Sequence, residues 1–132
     1  MPWTVEYVPE RDMALVVATG EIFDHEARGQ VAETIRLLQE HRANLALLDY
    51  AEALTEVLLS SLYWLPEYAA ELGAPWNLRV AVVTPRTRFR IEMYYFFELV
   101  FNNAGYHVKL FDNKEAAGDW LGRASPVQAP AK

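Results

Sequence analysis

Three histidines and no cysteine leave this chain a short inventory of reactive groups. His25, His41 and His107 share no i, i+4 spacing, the separation that sets two imidazoles on one helix face to hold a metal. His41 falls near a predicted helix C-terminus, where a cation or hydrogen-bond donor suits the negative pole. Without cysteine there is no disulfide, no thiolate nucleophile and no sulfur-based metal site. No nucleophile is spaced from a base in a pattern that would activate it. The residues therefore predict no catalytic group, no metal site and no cofactor, and the chain reads as a non-enzyme.

Binding chemistry has more candidates. Asp49 and Asp112 close two predicted parallel strands, and Thr84 and Arg86 follow a third, the edge where open α/β sheets place ligands. The same two carboxylates would also serve as acceptors for loop N–H groups. Arg86, Arg88 and Arg90 lead into a helix, whose N-terminal N–H groups attract anions; no glycine-rich turn accompanies them, and pairing with surface carboxylates is the alternative. Thr55, with Glu56 beside it, reads as the N-cap of a helix over 56–72.

The elements that must position these groups follow from periodicity. "WTVEYV" alternates, with Trp3, Val5 and Tyr7 on one face, and "MALVVATGEI" is a second strand after the turn "PERD". Residues 24–41 predict a helix with Asp24 as N-cap and Ala27, Val31, Ile35 and Leu38 as its buried stripe. "LALLDY" (45–50) is a continuously apolar strand covered on both faces. The helix over 56–72 buries Leu58, Leu62, Leu65, Ala69 and Leu72, with a kink or restart at Pro66. Residues 78–84 predict a strand, 87–104 a helix stopped by Gly105, 107–111 an edge strand, and 113–121 a last helix packed by Ala116, Trp120 and Leu121. Residues 1–122 form one domain and 123–132 a tail of small residues. The order ββαβαβαβα implies an α/β fold with a mixed, mostly parallel five-stranded sheet and four helices.

Apolar residues exceed what one core needs. "RIEMYYFFELVF" (90–101) sets four aromatic residues in a row. At 100° per residue, Phe89, Met93, Phe96, Phe97, Val100 and Ala104 share the core face. Tyr94 and Phe101 lie at its border, and Tyr95 and Leu99 on the far side. On the preceding helix, Leu59, Tyr63 and Trp64 also miss the buried stripe. These seven residues, Leu59, Tyr63, Trp64, Tyr94, Tyr95, Leu99 and Phe101, mark a candidate ligand or partner surface.

Composition narrows the partners. The 132 residues carry a net charge of −6, which disfavours nucleic acid. No apolar run approaches the ~20 residues of a membrane span. The N-terminus lacks the basic and apolar regions of a signal peptide, and the lack of cysteine suits a cytoplasmic protein.

The chain resembles the SpoIIAA-like family, small domains grouped with STAS and SEC14-type folds. Trp3-x-Val5-x-Tyr7, Gly20-Glu21-Ile22, Leu47-Leu48-Asp49, Leu65-Pro66, "RVAVV" (79–83), Asn103-x-Gly105, "VKLFD" (108–112) and Glu115-Ala116 with Trp120-Leu121 carry the likeness across residues 3 to 121. STAS domains that antagonise anti-sigma factors carry a phosphorylatable Ser in an Asp-Ser-Ser-Gly-like turn after the third strand. Here that stretch is "DYAEALTE": Asp49 is present, no Ser-Ser-Gly follows, and Thr55 is the nearby hydroxyl. The resemblance implies a non-enzymatic interaction or regulatory module, read as a homodimer with a protein partner. The SEC14 likeness implies an alternative, a small carrier holding an apolar or lipid-like ligand between the second and third helices.

Overall fold

The computed structural model describes residues 3–128, with side chains to Gly122. Its elements are β1 (Trp3–Val8), β2 (Met13–Ile22), α1 (Asp24–His41), β3 (Leu45–Thr55), α2 (Leu59–Glu71), β4 (Arg79–Val83), α3 (Ile91–Asn103), β5 (His107–Phe111) and α4 (Lys114–Gln128). The predicted α/β class and element order hold, and so does the mixed five-stranded sheet. Strands lie in the order β1-β2-β3-β4-β5. β1 pairs antiparallel with β2, and each later strand joins its predecessor in parallel.

Helices α1, α2 and α3 cover one face of the sheet, packing Ile35, Leu38, Leu62, Leu65, Met93 and Phe101 onto Val16, Ala46 and Val80. α4 covers the other face, setting Ala117 and Leu121 on Met13, Leu45, Leu47, Ala81 and Val83. β4 lies under both layers and is buried at every position, the continuously apolar pattern that such strands need. Arg79, at its start, is buried too, its guanidinium 4.3 Å from the Trp120 ring centroid.

β3 departs most from expectation. It runs on to Thr55, and its pairing with β2 steps from Val17↔Asp49 to Thr19↔Glu52, so β3 carries one extra residue. That bulge inverts the phase of the strand. Before it, Ala46 and Tyr50 face the three-helix side; after it, Ala53 and Thr55 do. Thr55 is therefore a buried strand residue, not a helix cap.

α2 starts three residues later than predicted, with Leu58 as N-cap. Leu58 and Leu72 are exposed, and the buried face is Leu62, Leu65, Pro66 and Ala69. The helix runs through Pro66 as one element, without the expected restart. α3 starts at Ile91, not 87, because Arg88 and Arg90 take left-handed backbone angles (φ 59° and 52°) that no α-helix accommodates. α4 continues to Gln128, so residues 123–128 of the predicted tail are helical.

Candidate functional site

Asp49, Thr84 and Asp112 are each engaged by neighbouring protein groups. Asp49 lies within β3 at the bulge, where its Oδ1 accepts the Ala51 N–H at 3.2 Å. Thr84 donates its hydroxyl to the Phe111 carbonyl at 3.2 Å. Asp112 accepts from the Asn113 amide at 3.0 Å, while Asn113 Oδ1 accepts the Ala116 N–H in the first turn of α4. Of the two carboxylates, among the described residues, only Asp49 accepts a backbone N–H, the alternative to a ligand cluster; Asp112 accepts a side-chain amide.

The arginines meet carboxylates. Arg86 pairs with Glu52 at 3.0 Å, and Arg90 with Glu92 at 2.8 Å and Glu56 at 3.8 Å. The hydrogen bond from Arg90 holds the Glu92 carboxyl below its ordinary range. Arg88 is exposed in the left-handed turn before α3. Two of the three candidate anion ligands are thus already paired.

The histidines stay apart. His25 is exposed in the first turn of α1, His107 is exposed at the start of β5, and His41 stacks on Tyr7 with ring centroids 3.6 Å apart. Among the described residues no three His, Asp or Glu side chains gather where they would hold a metal ion.

The aromatic candidates divide. Tyr63 (58% exposed) and Trp64 (60%) stand on the outer face of α2 with Leu59, their rings edge to face at 5.0 Å. Tyr95 and Leu99 (both 53%) stand on the outer face of α3, which packs beside α2. Tyr94 and Phe101, placed at the border by the wheel, are buried. The core face of α3 is centred on Met93, Tyr94, Phe97 and Phe101, while Phe89 precedes the helix and Ala104 is exposed. Leu54 and Phe23 add exposed apolar area, as does Leu58, which periodicity had put on the buried stripe.

Tyr94 turns inward to a buried polar corner. Its hydroxyl shares a 2.7 Å hydrogen bond with Thr55 Oγ1. Nearby, the Tyr50 hydroxyl donates to Gln30 Oε1. Burial pushes the Tyr94 phenol up to about 12 against the easing effect of Thr55, and burial also raises Tyr50. These four side chains line a partly open cavity of about 110 Å³ under α1, α2 and α3. Tyr63 and Trp64 do not line this cavity, which lies beneath α1 as well as α2 and α3. Gln30 and Tyr50 escaped the sequence reading. The one available signal was a Gln set beside the apolar stripe of α1, next to Val31.

Two further contacts organise the surface. Asp24, expected to cap its own helix, is its first residue; Phe23 occupies the N-cap. The Asp24 carboxylate instead accepts from the Leu58 N–H (3.1 Å) and the Ser61 hydroxyl (2.7 Å) at the start of α2. Gln39, at the other end of α1, donates to the Leu72 and Gly73 carbonyls, both at 3.0 Å. On α3, Asn102 both accepts from the Val108 N–H (2.8 Å) and donates to its carbonyl (3.0 Å), and Glu98 accepts from the Leu110 N–H at 3.3 Å.

No protein-family model and no curated protein matches the chain. Solved structures do. An uncharacterized DUF3478 family protein with a SpoIIAA-like fold from Shewanella loihica PV-4 aligns over 90% of this chain and 91% of its own, at 20% identity and a TM-score of 0.57. The anti-sigma factor antagonist SpoIIAA in its unphosphorylated form aligns over 92% and 98%, at 11% identity and a TM-score of 0.50. The fold of this chain is SpoIIAA-like.

Proposed function

We propose that this chain, built on the SpoIIAA-like fold, is a non-enzymatic interaction or regulatory module that docks through the outer faces of α2 and α3. A second copy of the chain is its first partner. The observation that carries the reading is the apolar surface of Leu59, Tyr63, Trp64, Tyr95 and Leu99 on two adjacent helices, each residue more than 40% exposed. Tyrosine and tryptophan offer large contact area with few rotors to freeze and a polar tip that tolerates water. A two-fold axis along these helices lets one patch serve both subunits. Burying Leu99 fully contributes ~2 kcal/mol per subunit. That one structural neighbour is an anti-sigma factor antagonist supports a regulatory role exercised by binding. Among the described residues no helix is long and apolar enough to cross a membrane.

The test replaces Tyr95 and Leu99 together, Tyr95→Glu with Leu99→Lys, and measures mass by light scattering across a concentration series. The wild type is expected to dimerise and the double variant to be monomeric with unchanged helical content. A wild type monomeric at high concentration, or a double variant that remains dimeric, removes the self-docking reading.

A further inference from the structure

Protein cores are packed with few voids larger than a water molecule. Here a cavity of about 110 Å³ lies between the sheet and α1, α2 and α3. Most of its wall is apolar, including Val16, Ile35, Leu62, Leu65 and Val80, and no charged side chain lines it. The Gln30 amide is its outstanding polar group. Gln30 is 4% exposed, and its Oε1 is engaged by Tyr50, yet among the described residues its Nε2 has no hydrogen-bond partner. Buried donors are almost always satisfied, because an unsatisfied one costs the full price of desolvation.

We infer that this cavity is a binding site for a small neutral molecule with an apolar body and one hydrogen-bond acceptor, held by the Gln30 amide nitrogen. The size follows from the volume. An engineered cavity of about 150 Å³ lined by aliphatic and aromatic residues takes up benzene. The cavity here holds a body about the size of a single ring. Neutrality follows from the wall: a carboxylate buried with no cation beside it is strongly disfavoured. The acceptor, a carbonyl or ether oxygen, follows from the unpartnered N–H group. A lone water at Gln30 is the competing occupant. The site is independent of the exposed α2–α3 surface, and either can fail without the other.

The experiment titrates the isotope-labelled full chain with cyclopentanone and with methylenecyclopentane, a hydrocarbon of nearly the same shape. Cyclopentanone is expected to shift the methyl resonances of Ile35, Leu62 and Val80 and the side-chain amide of Gln30, and to bind roughly tenfold tighter than the hydrocarbon. In Gln30→Leu that preference should vanish while hydrocarbon binding persists. The idea is overturned if neither probe moves those methyls, as when water alone occupies the site. Equal binding of the two probes by the wild type also overturns it. The wild-type comparison and the Gln30 amide resonance need no variant, so a Gln30→Leu chain that fails to fold leaves the decision intact.

Discussion

Thr55→Asp would set a carboxylate against Tyr94 on the covered face of β3, where Thr55 is 6% exposed. No charged side chain among the described residues lines the cavity beside it, so the expected loss is roughly 3 kcal/mol or more, read from the urea midpoint. At a helix N-cap the same change would cost only a few tenths, roughly, since Asp caps well. The two placements of this residue therefore differ in an easily measured number. The neighbouring phenols give a pH test. Tyr94 is raised from 10.0 to about 12, and Tyr50 is raised as well, both chiefly by burial. A raised folded pKa means that the protonated phenol is favoured by folding. The contribution is complete below pH 10.0 and is lost as pH climbs towards about 12. Alkaline titration followed by tyrosinate absorbance should show these two tyrosines ionising last, together with unfolding. In Tyr94→Phe the alkaline loss should be smaller, at the cost of about 1–2 kcal/mol at neutral pH for the orphaned Thr55 hydroxyl.

At the scale of elements, α1 holds α2 at both ends. α2 has no cap of its own, no acid in its first turn and no base in its last. Asp24 supplies the negative charge at its start, and Gln39 the donors at its end. Asp24→Ala should destabilise the domain by about 1–2 kcal/mol. Hydrogen exchange should speed up in the first turn of α2 rather than in α1, where the mutation lies. Asn102 does similar service for β5, whose outer edge has no strand beside it. Its side-chain amide pairs with both the N–H and the C=O of Val108, as a neighbouring strand would. Asn102→Leu should cost about 1–3 kcal/mol and leave a sticky edge, seen as mass growing with time in light scattering. Much of this scale was legible. Alternation in β1, the long apolar runs of β3 and β4 and the stop at Gly105 gave elements in the right order. The rest was hidden for local reasons. Residues 51–57 do alternate, with Ala53, Thr55 and Val57 buried and Leu54 and Glu56 exposed. The bulge puts that alternation out of phase with "LALLDY", so it reads as a fresh element, and Thr-Glu imitates a cap. The wheel of α3 was mis-set because two left-handed arginines shift its start from 87 to 91. The cavity was not legible at all, since a void is a property of how faces meet.

At the scale of the whole molecule, the strand order in space equals the order in the chain. Each strand after the first is laid against one that has already left the ribosome, and no slot is held open for a later segment. Assembly can therefore proceed as the chain is made, from the N-terminal hairpin outward, with loop closures kept short for a parallel sheet. The same order makes an interrupted chain hazardous. A product ending at Arg86 would present β4, buried throughout in the finished fold and apolar after Arg79, as an uncovered edge lacking both α3 and β5. Such a fragment should aggregate, and one ending after α1 should merely stay soluble and unfolded. Comparing the two released fragments by pelleting would show whether the danger arrives with β4. Synthesis of α3 and β5, complete at Phe111, at roughly 5–20 residues per second, sets how long it lasts.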